Sequence, residues 1–237
     1  MPKVISGLKG RDVLSNLKEC VKTSINSAKE IDINNLSNFK FKKAIRWPYP
    51  ENGDCNFIEF INQLFTTVAS IKAIEYLKAE EDDWVMNLGT TPGRDLTVKK
   101  DSENIIIIAE IFAVTDPQSN NKLKDEIISL ATLSKEEEEE GEEGEEGEKE
   151  DKRYAFFILS EDKFPKNKND TKSVISWTTK QSSNGNILIK FKKDSFVYDK
   201  DKKMAMWTAI CQSDTQPREI EVNIVCWSSE NCLLEFL

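Results

Sequence analysis

The chain has 237 residues, 33 basic and 42 acidic, with no histidine and a formal net charge of −9. Residues 136–151, EEEEEGEEGEEGEKED, hold 12 of the acids and one lysine, which is −11; the other 221 residues hold 32 basic and 30 acidic side chains, a net +2. One tract therefore makes the chain acidic, and the acidity does not exclude a nucleic-acid partner. The lack of histidine excludes Ser-His-Asp and Cys-His nucleophile systems and His-ligated zinc centres. Hydrolysis here has to use carboxylates, lysine and a hard cation. No run reaches about 18 apolar residues, so no membrane span is expected. The opening MPKVISGLKGRDVL lacks an apolar signal-peptide core, and the five cysteines form no CxxC pair. Both point to an intracellular protein, cytoplasmic or nuclear, with reduced thiols.

In chain order, residues 1–53 read as an N-terminal helical segment. Val13, Leu14, Leu17, Val21 and Ile25 recur at helical spacing within it. The basic stretch FKFKK–Arg46 then runs into Pro48 and Pro50, which break regular structure. Residues 55–80 form the clearest helix, with Phe57, Phe60, Ile61, Leu64, Phe65, Val68 and Ile71 on a broad apolar face and Asp54 as a candidate N-cap. Glu59, Asn62, Gln63, Thr66 and Ser70 make a narrow polar stripe on the other side, within about 60° of Glu59 at 100° per residue. A stripe with one charge and no lysine suits a cleft or a second layer, although a solvated face is equally open.

Three strands follow at about 84–88, 94–99 and 105–114, with Pro92-Gly93 as a turn and 99–104 as a hairpin loop. The third, IIIIAEIFAV, is apolar throughout except for Glu110, as in a strand buried on both faces. A helix over 118–133, capped by Ser119 or Asn120, presents Leu123, Ile127, Ile128, Leu130 and Leu133. The acidic tract lies within a disordered insertion, 134–152, before a buried strand, YAFFILS. SVISWTT, NILIKFKK, DSFVYD, MAMWTAICQ and REIEVNIVCW are further strand candidates, with Asn184-Gly185 as a hairpin turn. They either extend the central sheet or form a second one. The fold class is α/β, a mixed central sheet flanked by helices with additional C-terminal strands: a core over 54–165 and a β-rich extension over 166–237.

Two acids conflict with their surroundings. A lone carboxylate at Glu110 costs several kcal/mol unless it is paired or metal-bound. Asp95 starts the adjacent strand, and equal hairpin arms about position 102 set it within one residue of register from Glu110. Two carboxylates on adjacent strands suit a hard cation, Mg²⁺ or Mn²⁺. Each also has a structural reading: Asp95 as a cap of the Pro-Gly turn, Glu110 in an ion pair with a lysine, Lys122 as a solvated helix residue.

The order helix–β–β–β–helix–β, with Asp95 on the second strand and Glu110 on the third, resembles the restriction-endonuclease-like PD-(D/E)XK nuclease superfamily over about residues 54–160. The resemblance implies a mixed four-stranded core and phosphodiester hydrolysis in DNA or RNA. It makes Asp95 and Glu110 the metal ligands and Glu59 the acid on the first helix. Two departures stand out. Pro92 lies three residues before Asp95 rather than directly before it, and Phe112 occupies the family's lysine position. Some members move that lysine to the next helix, where Lys122 or Lys124 would serve. The competing expectations are a catalytically inactive scaffold on the same fold and an unrelated α+β interaction domain. The oligomeric state is left open, a dimer included.

Overall fold

The structure, a computed structural model, describes residues 5–29, 41–42, 54–55, 57–78, 84–91, 94–100, 105–114, 120–132, 150–175, 179–182, 185–214, 219–232 and 236. Most of the acidic tract, Asn184, and the Pro92-Gly93 turn lie outside these residues. The elements are β1 (Ile5–Lys9), α1 (Gly10–Lys29), β2 (Phe41–Lys42), β3 (Asp54–Cys55), α2 (Phe57–Leu77), β4 (Trp84–Thr91), β5 (Arg94–Lys100), β6 (Ile105–Val114), α3 (Asn120–Thr132), β7 (Glu150–Leu159), α4 (Thr171–Val174), β8 (Thr179–Ser182), β9 (Gly185–Phe191), β10 (Val197–Asp199), β11 (Met204–Ser213), β12 (Glu219–Ser228) and α5 (Ser229–Cys232).

Ten strands form one open sheet in the order β1-β4-β5-β6-β7-β12-β11-β9-β8, with β10 also paired to β11. β6, β7 and β12 run parallel to one another, and every other pairing in this sheet is antiparallel. The fold is thus mixed α/β, an open sheet of mixed polarity flanked by helices. The C-terminal strands extend the central sheet: β12 lies directly against β7, with Ser228 beside Leu159. Asp54 lies in β3 and α2 begins at Phe57, so Asp54 is not the residue next to the helix. The segment read as a strand over SVISWTT begins instead with the short helix α4, because Asn167 and Asp170 form a reciprocal capping box that starts a 3₁₀ turn just before it.

Side-chain alternation along the strands assigns the two faces. Leu96, Val98, Ile107, Phe156, Ile158, Val225 and Trp227 pack with Val13, Leu17 and Val21 of α1 and Phe60, Leu64, Val68 and Ile71 of α2. Ala155, Phe157, Leu159, Val222, Ile224 and Cys226 face the other way. They pack with Leu123, Ile127 and Leu130 of α3 and with Trp207 of β11. α1 and α2 therefore cover one face and α3 the other. Residues 155–159 of β7 are at most 1% exposed, as expected for a strand sealed on both sides.

The edge strand β1 carries a register break between Ile5 and Leu8, where Gly7 takes φ 73°, a conformation that strains any other L-residue.

Two consequences are measurable. Phe156 is fully buried, with rings of Tyr154, Tyr76 and Trp227 around it at 5.3, 5.7 and 6.0 Å. Phe156→Ala should cost about 3–5 kcal/mol in urea unfolding, while Val197→Ala at a half-exposed site should shift it by less than about 0.5 kcal/mol. Burial raises the Cys226 thiol well above its ordinary value and pushes Cys211 up to about 12, against a smaller opposing pull from Arg153. Neither forms thiolate near neutral pH, so both should resist N-ethylmaleimide at pH 8 in the native protein and react only on unfolding, as mass spectrometry would read.

Candidate functional site

The β5–β6 hairpin positions the two acids. Its pairs run Lys100↔Ile105, Lys99↔Ile106, Val98↔Ile107, Thr97↔Ile108 and Leu96↔Ala109. One further step in this register sets Asp95 opposite Glu110. The register differs by one residue from equal arms about position 102, and that slip brings the acids to directly opposed positions. Opposed positions on antiparallel strands share a face. Leu96 and Ile107 face α1 and α2, so the positions of Asp95 and Glu110 lie on the α3 face. On its other side Glu110 is in register with Ala155, which is fully buried. The side chains of Asp95 and Glu110 themselves lie outside the described residues.

The two candidate lysines separate clearly on α3. Leu123, Lys124, Ile127, Ile128, Leu130 and Ala131 are all buried, Lys124 at 8% exposure. Lys124 stands one turn before Ile127 and Ile128, inside the arc turned to the sheet. Lys122 falls roughly 160° round the helix from the centre of that arc, on the side away from the sheet. Its side chain is outside the described residues.

The height of Lys124 on the sheet follows from one buried contact. The Arg153 guanidinium donates a hydrogen bond to the Leu130 carbonyl in the last turns of α3. Arg153 is in register with Ile108 of β6, so Leu130 lies near that level. α3 starts soon after β6 ends and runs back along it. Lys124, six residues before Leu130, is about 9 Å higher at 1.5 Å per residue. That height is about three residues of strand at 3.3 Å each, which reaches the level of Glu110 and Ile111. The fold thus brings Asp95, Glu110 and Lys124 to one region of one face.

Glu59 lies in the first turn of α2, in the layer on the opposite face. Its end of the sheet is the right one. α2 closes at Leu77, and a short link joins it to Trp84, which pairs with Lys100 at the hairpin end of the sheet. The N-terminal turn of α2 therefore points toward the opposite end, where β6 finishes. Glu59 shares an end with the acids but not a face. Further along its stripe, Gln63, Thr66 and Ser70 are half-buried, so this is not an open solvent face. Gln63 Oε1 is buried with no hydrogen-bond partner.

Among the described residues no group of three or more His, Cys, Asp or Glu side chains is gathered to hold a metal. Two opposed carboxylates are nonetheless a donor set of the hard-oxygen type that Mg²⁺ and Mn²⁺ prefer. No described helix is long and apolar enough to cross a membrane.

The sequence reading did not isolate a second feature of the same end. An open cavity of about 840 Å³ lies beyond the C-terminal ends of the parallel strands β7 and β12, lined by Glu161, Asp162, Lys163, Phe164, Lys166, Asp170, Ser229 and Glu230. The Glu161 carboxylate accepts from the buried Ser228 hydroxyl and sits 2.9 Å from Lys166 Nζ. These two hydrogen bonds hold its carboxyl below the usual range.

The opposed register has a direct chemical test. Residues opposite each other on antiparallel strands have Cα atoms about 4.5–5.5 Å apart, inside the span a disulfide bridges. The pair Asp95→Cys with Glu110→Cys should cross-link under mild oxidation, seen as a loss of two mass units. The pair Asp95→Cys with Ile108→Cys should cross-link far less. Comparison with protein-family models, curated proteins and solved structures gives no match for this chain.

Proposed function

We propose that this protein is a divalent-cation-dependent nuclease of the restriction-endonuclease-like kind, cutting phosphodiester bonds in DNA or RNA. The observation that carries the proposal is the β5–β6 register, which sets Asp95 and Glu110 against each other on the face that also receives the buried Lys124. The order α2–β4–β5–β6–α3–β7 supports it, since that is the element order of the family's core.

Asp95 and Glu110 would hold Mg²⁺ or Mn²⁺ through carboxylate oxygens. When bound, such an ion polarises the scissile phosphate and lowers the pKa of a coordinated water. Lys124 takes the place left by Phe112. It brings positive charge from the helix rather than from the strand, to stabilise the charge that builds on the phosphate oxygens. Lys122, on the outer arc of α3, takes no part. Glu59 acts from the rim of the same end, as an orienting carboxylate rather than a member of the opposed pair.

A second reading has its own observation. A lysine buried to 8% exposure near a carboxylate in an apolar strand is also what a structural ion pair looks like. In that case the chain is a nuclease-like scaffold without cleavage.

Cleavage assays separate the two. With Mn²⁺ the purified protein should degrade single-stranded or duplex DNA or RNA, and Asp95→Ala or Glu110→Ala should abolish the activity. Lys124→Met, which keeps the buried stem, should cost on the order of 100-fold or more in rate with little change in melting temperature, and Lys122→Ala should stay within about twofold of wild type. Absence of cleavage on every substrate, together with strong destabilisation by Lys124→Met, would favour the structural pair.

A further inference from the structure

The net +2 outside the acidic tract is not spread evenly. Residues 160–203 hold eleven lysines and six acids, a net +5, so everything outside both this segment and the tract sums to −3. Three lysine-bearing turns far apart in sequence supply most of the charge: 163–172, 192–196 and 199–203. In the fold they meet. Phe164 packs edge-on against Tyr198 at 6.0 Å, which joins the first turn to the third. Lys168 Nζ stands 5.2 Å from the Phe191 ring centre, which joins the first to the second. Electrostatic coupling of Glu161 to Lys203 ties the first and third again.

The acids in these turns are largely turned inward. Asp170 Oδ2 accepts from the backbone N–H groups of Lys166 and Asn167 and from the Asn167 side chain. Asp199 Oδ1 accepts from the N–H groups of Asp201 and Lys202. Glu161 is held by Ser228 and Lys166. The turns therefore spend three carboxylates on holding their own shape, while Lys168, Lys172, Lys193, Lys200 and Lys202 are exposed. A short carboxylate bonded to backbone cannot follow a lysine outward, so the surface presented to a partner is more positive than the sequence count.

We infer that this three-turn lysine surface is a docking site for a nucleic-acid phosphate backbone. It flanks α3, because α4 and the strands β9, β11 and β12 pack into the same core as that helix. It thus borders the face and the end of the sheet where Asp95 and Glu110 lie. This placement favours nucleic acid over an anionic membrane, the other polyanion such a surface fits. The inference rests on the nuclease reading only for its choice of partner; the surface itself is independent of the acids.

The test uses the full chain and three probes: a fluorescein-labelled 20-nucleotide single strand, the matching duplex, and vesicles with 30% phosphatidylserine. The variant is Lys168→Gln, Lys172→Gln, Lys193→Gln and Lys200→Gln together. Wild type should bind the single strand or the duplex, and the variant should lose at least tenfold in affinity at 100 mM salt. The slope of log affinity against log salt should become shallower by roughly 2–3, since each phosphate contact contributes about 0.7–0.9. A control removing four lysines elsewhere (Lys9, Lys18, Lys22 and Lys72) should leave binding unchanged. An unchanged affinity in the first variant, an equal loss in the control, or binding to vesicles but to neither nucleic acid would overturn the inference. Asp95→Ala should bind like wild type whatever happens to cleavage. Lysine-dependent binding without any cleavage would therefore sink the nuclease reading and leave the docking surface standing.

Discussion

The burial of β6 and β7 on both faces is the constraint on which the rest depends. A strand pair with helices on either side offers an ionised side chain no route to water, and an unpaired charge there costs several kcal/mol. Ala155, Phe156 and Phe157 are all fully buried, and Glu110 is in register with Ala155. A carboxylate placed there has to be met by positive charge. α3 brings Lys124 to the matching level, and the neighbouring strand brings a second acid to the opposed position. Apolar side chains would satisfy the packing of both strands, so the cluster of charges calls for an explanation other than the fold.

Charge counting shows what the cluster suits. Two carboxylates and one ammonium leave a single negative charge. A divalent cation turns that into a single positive charge, which is what a phosphodiester meets. The cation and the substrate thus each make the other easier to bind. In this arrangement Lys124 does two things: it lowers the cost of burying the acids before any ion arrives, and it supplies positive charge once one has. Arg153 supports it indirectly, by fixing the last turns of α3 through the Leu130 carbonyl and so setting the height of the helix over the sheet.

Much of this was legible in the sequence because it is local. The run IIIIAEIFAV matches β6 from end to end, and hairpin geometry set the acids within one residue of their observed register. Lys124 was legible too, at three and four residues before Ile127 and Ile128, but a lysine in an apolar arc is easily passed over beside an exposed neighbour such as Lys122. What stayed hidden was non-local. Nothing in REIEVNIVCW says that it pairs with β7, some 70 residues earlier, rather than starting a second sheet. SVISWTT reads as a strand from its β-branched residues, while the capping box that begins the turn before it lies upstream in NKND. β1 is five residues with a glycine in the middle, too short to show alternation. The lysine turns were visible as PKNK and DKDKK, but only the fold shows that they share a surface and that their aspartates bond inward.

The central claim is that Asp95 and Glu110 form one cation site. Electron paramagnetic resonance of free Mn²⁺, titrated into the protein, measures it without requiring turnover. The 12 acids of residues 136–151 will also take up Mn²⁺, weakly and in a salt-sensitive way, so the comparison belongs at 150 mM salt and between variants that keep the tract. Wild type should show at least one tight site beyond those of the Asp95→Asn, Glu110→Gln double variant, and each single variant should lose that site alone. Identical Mn²⁺ binding by wild type and the double variant would contradict the account.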